Sequence, residues 1–304
     1  MLLLKNGRHR LSIDIDIICP PGTEIEPYLQ RYKEFGFIDY KPVLRIQRCK
    51  DIPKSHSKFY YNVAFLDDSD RQESILLDVL NEDCHYEKVV EVPIESPFLK
   101  IENPVSMVKV PSVGDILGDK LTAFAPNTTG IPYYKINSDG TEKNCSMEII
   151  KQLYDISRLF EVTKDLTVTS KSFSKIAKVE LSYRGMSDNP SVIFDDIRKT
   201  SICIATRGAE GNGNFEMLQS GIARIGSFMF RGEYRIENAI IDSARAAYIA
   251  TMLEKGHVDI ERYSGDPRSI ADMSISFALP DRLKRLRRQS PEAFYYWAKI
   301  GELL

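Results

Sequence analysis

The sequence predicts an α+β protein, with a strand-rich front followed by an α-helical back half. Three observations carry this. Residues Leu11–Ile18 alternate apolar and polar with a period of two, β-branched and aromatic runs recur to about residue 92, and helical periodicity takes over from Ser112. The chain has 304 residues, 43% hydrophobic and 28% charged, which suits a globular protein with a real core in one large or two ordinary domains.

The formal net charge of -2 means that nucleic acid would be gripped by a local basic patch, not by a global field. Cys19, Cys49, Cys84, Cys145 and Cys203 are scattered, without a C-x-x-C pair, which points to a reducing cytoplasm and away from a disulfide framework or structural zinc. The adjacent Cys84 and His85 would face opposite sides of an extended segment. No apolar run approaches the roughly 18 residues that a membrane span needs, so a soluble intracellular protein without a membrane partner is expected.

Leu11, Ile13, Ile15 and Ile17 share one face of the first strand, and Ser12, Asp14 and Asp16 share the other. Pro20-Pro21-Gly22 breaks the chain. Thr23 and Glu26 have the spacing of a capping box for a helix to about Phe35, with Gly36 as its stop. Strands are predicted at 43–47, 59–65, 74–80 and 88–92, and an irregular stretch over 93–111. Ser112 and Asp115 cap a helix to about Ala125, Pro126–Asn144 reads as a polar loop, and Ser146 opens a helix to Val162. Further helices are predicted at 171–183, 190–205, 215–230, 233–254, 281–289 and 291–303, with Gly208–Gly213 as a flexible linker. The domain boundary is placed near residue 110, giving 1–110 and 111–304, with a division near 165 as the other option.

Aspartate is depleted in strands, so Asp14 and Asp16 need a reason. At i and i+2 they share one face, with Cα atoms about 6.8 Å apart, and can converge on a hard divalent ion such as magnesium. A solvated acidic edge or a calcium site explains the spacing too. In Ile75-Leu76-Leu77-Asp78-Val79-Leu80 a lone aspartate interrupts an aliphatic run, where burial demands a metal or a cation; a carboxylate facing solvent from a strand end is the other reading. Lys120, four residues after Ile116 and four before Phe124, lies on or beside an apolar stripe, where it either snorkels or meets a buried anion. Lys151 and Asp155 share a helix face at i,i+4, a spacing that a surface ion pair explains at a few tenths of a kcal/mol.

These residues resemble the AbiEii/AbiGii-type abortive-infection toxins, a branch of the DNA polymerase β-like nucleotidyltransferases. Arg10-Leu11-Ser12-Ile13-Asp14-Ile15-Asp16 resembles the family's R-x-S-x-D-x-D signature, Ile116–Leu121 its L-x-x-K-L helix, and Lys151–Ile156 its R-D-L-Y-D-L helix. The resemblance covers about residues 1–160 and implies a nucleotidyltransferase-like mixed sheet with flanking helices. It implies that Asp14, Asp16 and Asp78 hold Mg2+ (or Mn2+), that Lys120 and Asp155 are catalytic, and that Arg10, Ser12 and Lys120 lie toward the nucleotide. It further implies a nucleoside triphosphate donor, a hydroxyl acceptor such as tRNA, and a cognate antitoxin.

Gln152 replaces the acid that the family has before its Leu-Tyr-Asp step. The family also places a Gly-Gly or Gly-Ser turn upstream of the carboxylates to grip the triphosphate, whereas only Gly7 precedes Asp14 here. Met1–Leu4 resembles the stretch that directly follows this turn, so the expectation is a start assigned too late or a shortened chain, with impaired catalysis if it is complete.

Arg282, Lys284, Arg285, Arg287 and Arg288 put five cations into seven residues, fit either to grip an RNA backbone or to form a solvated helix face. Tyr295-Tyr296-Trp297 reads as helix packing. The rival to the enzyme is a catalytically inactive nucleotide- or RNA-binding protein of the same fold. A D-x-D glycosyltransferase is disfavoured, because no leading βαβ unit is found.

Overall fold

The computed structural model describes residues 10–12, 14–43, 52–63, 71–101, 103–137, 139–230 and 232–304. The chain divides into two compact units. A strand unit comprises residues 11–85 with 136–142, and a helical unit holds Arg10 together with 86–135 and 143–304. The Asp115 carboxylate accepts from the backbone N–H groups of Glu87 and Lys88 at 2.6 and 3.1 Å and so ties the start of the 86–135 stretch to the helices.

In the strand unit, β1 (Asp14–Cys19) is followed by a single turn α1 (Glu26–Leu29) and a 3-10 turn (Tyr32–Phe35). The long helix expected after Thr23 does not form. Thr23 donates its hydroxyl back to the Pro20 carbonyl at 2.7 Å, so the capping box is never made. Gly36 does stop the segment, with φ of 83°, a left-handed conformation that glycine adopts without strain. β2 (Asp39–Pro42) then forms just before the predicted strand at 43–47, most of which lies outside the described residues. β3 (Lys54–Asn62) starts earlier than predicted, and β4 (Gln72–Asn81) matches its prediction.

These strands lie in the order β1-β4-β3-β2, with β1 parallel to β4 and the other pairs antiparallel. Register and two-residue alternation assign the side chains to two faces. One carries Asp14, Asp16, Asp78, His56 and Lys54 together with the aliphatic Ile18, Leu76 and Leu80; the other carries Ile15, Leu77, Val79, Phe59 and Tyr40. Phe37 and Tyr40 pack on Phe59 with ring centroids 5.3 and 5.1 Å apart, anchoring the second face.

The helical unit opens with an antiparallel ladder of β5 (Val89–Pro93) and β6 (Met107–Pro111). No strand was expected over β6, which lies in the proline-rich stretch 93–111; in the structure Pro93 and Pro111 sit at the ends of the ladder, where a missing N–H costs least. α2 (Val113–Ala123) is capped as expected, with the Ser112 hydroxyl accepting from Asp115 N–H. The predicted polar loop contains the short strands β7 (Tyr134–Ile136) and β8 (Glu142–Asn144).

The helices α3 (Ser146–Val162), α4 (Thr167–Tyr183), α5 (Ser191–Ala205), α6 (Phe215–Ile225) and α7 (Ile236–Glu254) follow. After α7 a long connection leads through a 3-10 turn (Asp281–Arg285) into α8 (Leu286–Gln289) and α9 (Pro291–Leu303). α3 runs through the core and buries Ile149, Ile150, Leu153, Ile156 and Leu159 completely. α7 lines its buried faces with alanines, which let α5 and α9 approach closely, and Trp297 of α9 is fully enclosed. Tyr295 and Tyr296 are buried with it, as helix packing requires.

The glycine-rich 208–213 stretch is not a flexible linker. Its backbone bonds to α5, Asn212 N–H donating to the Lys199 carbonyl at 3.1 Å. Gly211 has φ of 92°, and a Cβ there would come within 2.6 Å of the Cys203 amide nitrogen. No helix among the described residues is long and apolar enough to cross a membrane.

Candidate functional site

In the strand unit, β1 presents Asp14 half-buried and Asp16 exposed. Its parallel register with β4 sets Asp16 directly beside Asp78, and the antiparallel register of β3 sets His56 on the far side of Asp78. A row of Asp16, Asp78 and His56 thus crosses three strands on one face, with Asp14 one pleat away. The Ser12 hydroxyl donates to the Asp14 carbonyl at 3.3 Å, at the entry to the same strand.

Asp78 is buried, so the reading in which it faces solvent from a strand end fails. Its Oδ1 lies 2.7 Å from His56 Nδ1 and its Oδ2 lies 3.1 Å from Lys54 Nζ. Burial pushes the Asp78 carboxyl up, but the His56 hydrogen bond and the Lys54 charge outweigh it and hold the group below the usual carboxylate range. The cation that burial demands is therefore supplied by the protein itself. Nothing in the sequence marked Lys54 or His56, because the pairing is set by register across two strands.

Asp14 differs. Its Oδ1 is buried and accepts no hydrogen bond from any described residue. A buried carboxylate oxygen without a donor is costly, and a hard divalent ion is the chemistry that fits it. Among the described residues, no group of three or more His, Cys, Asp and Glu side chains is arranged to hold a metal ion. Asp14 and Asp16 stand as a pair, while both oxygens of Asp78 face partners.

The helical unit gathers the other candidates. Arg10 donates through Nε to Asp155 Oδ1 at 2.8 Å and through a terminal nitrogen to Oδ2 at 2.7 Å, a bidentate fork. Lys120, on α2, places Nζ 3.4 Å from the same Oδ2. Asp155 is fully buried in the middle of α3. Burial alone would raise its carboxyl; the charges of Lys120 and Arg10 reverse this and hold it below the usual range. Lys120 thus has a buried anionic partner in Asp155.

Lys151 and Asp155 are both buried, so the solvated surface ion pair is overturned. Lys151 instead lays its ammonium over the Phe228 ring, 4.9 Å from the centroid. Gln152, which replaces an acid of the family pattern, has a buried Oε1 without a hydrogen-bond partner among the described residues.

A second buried network went unread in the sequence. Asp242 of α7 accepts from Ser157 at 2.5 Å, Arg158 at 3.0 Å and Tyr234 at 2.9 Å. Arg245 links Ser157, Glu161 and Glu292 around it. Burial raises the Asp242 carboxyl, and Arg158 and Arg245 cancel only part of that rise. This network cements α3, α7 and α9, and its polar residues are distributed along the chain in a way that no local pattern reveals.

The basic segment is less uniform than its sequence. Arg282 pairs with Glu210 at 3.3 Å, and Lys284 with Asp281 at 2.6 Å. Arg287 donates to the carbonyls of Ala271 and Met273 and packs on Phe294. Arg285 and Arg288 are exposed and pair with no described residue, while Leu283 and Leu286 point inward.

The sequence profile of the family described as "Nucleotidyl transferase AbiEii toxin, Type IV TA system" matches residues 1–225. Among solved structures, JHP933 from Helicobacter pylori is similar at 11% identity with a TM-score of 0.37, over 82% of this chain and 78% of that one. No curated protein matches the sequence.

Proposed function

This chain belongs to the AbiEii family of nucleotidyltransferase toxins of type IV toxin–antitoxin systems, and from that premise we propose that it transfers a nucleoside monophosphate to a hydroxyl acceptor such as tRNA in the cytoplasm. The acceptor oxygen forms a bond to the α-phosphorus of a nucleoside triphosphate. The bond from that phosphorus to the β-bridging oxygen breaks, pyrophosphate leaves, and the hydroxyl proton is released.

The observation that carries this reading is the Asp14 and Asp16 pair on one face of β1, with Asp14 Oδ1 buried and without a donor among the described residues. These two residues would hold magnesium (or manganese), which when bound supplies Lewis-acid stabilisation of phosphate charge. Asp78, in register with Asp16, adds negative charge to the same sheet face and is positioned by His56 and Lys54. Ser12 braces the entry to β1.

In the helical unit, Lys120 and Arg10 are the phosphate-side cations, and Asp155 is the positioning residue that fixes both. Arg285 and Arg288, which pair with no described residue, serve acceptor RNA better than Arg282, Lys284 or Arg287, which already have partners. Membership of a toxin–antitoxin family supports a cognate antitoxin as a further partner.

The test is transfer of label from each α-labelled nucleoside triphosphate to total RNA in the presence of magnesium, with the wild-type chain and Asp14→Ala. Label in RNA that disappears in Asp14→Ala is the expected result. Transfer retained by that variant would sink the assignment. Nucleotide binding without transfer by the wild-type chain would favour the non-catalytic binding protein.

A further inference from the structure

Phe277 is 101% exposed, a full aromatic ring standing in solvent. It is held there by construction. Its flanking residues Ile275 and Leu279 are buried, and the turn between them is closed by Leu279 N–H donating to the Ser276 carbonyl at 3.0 Å. Ser276 lies against Gly301 of α9, where a Cβ would meet the Ser276 Cβ at 2.7 Å. The turn is thus seated on the helix, with the ring at its apex.

The loop that carries Phe277 is tied at its base. Arg287 donates to the carbonyl of Ala271 at 2.9 Å and to that of Met273, which brings the end of the basic segment back to the start of the loop. Leu279, Leu283 and Leu286 are buried, while Arg285, within the loop, and Arg288, the residue that follows its closing arginine, are exposed. Neither has a partner among the described residues. The loop lies wholly beyond residues 1–225, so the family match does not account for it.

We propose that Phe277, Arg285 and Arg288 form a docking surface for single-stranded nucleic acid, with the Phe277 ring stacking on an unpaired base and the two arginines on flanking phosphates. Charge selects a polyanion: Arg285 and Arg288 are exposed and have no counter-charge among the described residues, in a chain whose net charge is -2. The ring selects a single strand, because a duplex keeps its base faces stacked on one another. This inference rests on the reading of RNA as acceptor and deepens it by naming the unpaired portion of that RNA as what the helical unit holds.

The experiment is equilibrium binding of a fluorescein-labelled single-stranded RNA oligonucleotide, and of its duplex, to the full chain without nucleotide or magnesium. Phe277→Ala is expected to weaken single-strand binding about tenfold, as loss of one stacked base does, and to leave duplex binding unchanged. Arg285→Ala with Arg288→Ala should lower the slope of log affinity against log salt on the single strand by about 1.4, the value for two phosphate contacts. Unchanged single-strand affinity in Phe277→Ala would overturn the proposal. So would binding to anionic phospholipid vesicles, lost in Phe277→Ala, with no RNA binding at all. Asp14→Ala should bind the oligonucleotide like wild type, so a failure of transfer and a failure of docking are read separately.

Discussion

Arg10 and Asp155, 145 positions apart in sequence, meet in a buried two-point fork with contacts of 2.8 and 2.7 Å. Lys120 shares the same carboxylate. Three candidate site residues from distant parts of the sequence therefore form one electrostatic unit, and its centre is the acid.

That asymmetry makes the first prediction. Asp155→Ala removes the counter-charge of two cations and should cost about 3–5 kcal/mol of stability, the range for breaking a buried pair. Arg10→Ala leaves Asp155 with Lys120 and should cost less. Because the residues are in contact, the double variant should lose less than the sum of the single losses. Denaturant titration of the four proteins checks this, and additive losses would show that the fork contributes no coupling.

Acid should erase the same stabilisation. The folded-state carboxyl of Asp155 lies below its ordinary value of 3.8, so its contribution is fully present above that value. It is lost as pH falls below 3.8 through the folded-state value. Asp242 has the opposite sign: its raised carboxyl makes ionisation unfavourable to folding, and protonation on acidification relieves that cost. The stability difference between wild type and Asp155→Asn should therefore shrink in strong acid, even where overall stability follows a different course. Thermal melts across pH for the two proteins measure it.

Asp14 and Asp78 should separate function from stability. Asp14→Ala removes a buried oxygen that has no donor among the described residues, and relief of that desolvation is worth about 1–3 kcal/mol. Its melting temperature should be equal to or above that of wild type, while transfer is lost. Asp78→Ala strips Lys54 and His56 of their shared acceptor and should melt lower. A marked drop in the melting temperature of Asp14→Ala would mean that its carboxylate is structural.

Trp297 is fully enclosed, yet its indole N–H has no acceptor among the described residues. Trp297→Ala should cost about 3–5 kcal/mol through lost contacts and a cavity. Trp297→Phe should cost much less, because it deletes the unsatisfied donor along with part of the ring. Urea unfolding of both variants distinguishes this from a hydrogen-bonded indole, for which the phenylalanine variant would also suffer heavily.

The sequence by itself determined what lies within a few residues' reach. Alternation through 11–18 placed Asp14 and Asp16 on one face, Ser112 with Asp115 fixed the start of α2, and apolar spacing located most of the helices of the back half. Local signals misled where a competing local contact existed: Thr23 bonded backward to Pro20 instead of capping a helix. Prolines hid β6 because only its pairing partner shows that they stand at the ladder's ends. Tertiary structure alone decided the charge partners. Arg10 found Asp155, Asp78 found His56 and Lys54, and Arg287 closed the loop that displays Phe277. The physical reason is range: periodicity and capping act over one or two turns of chain, whereas a buried charge takes whichever counter-charge the packed fold brings to it.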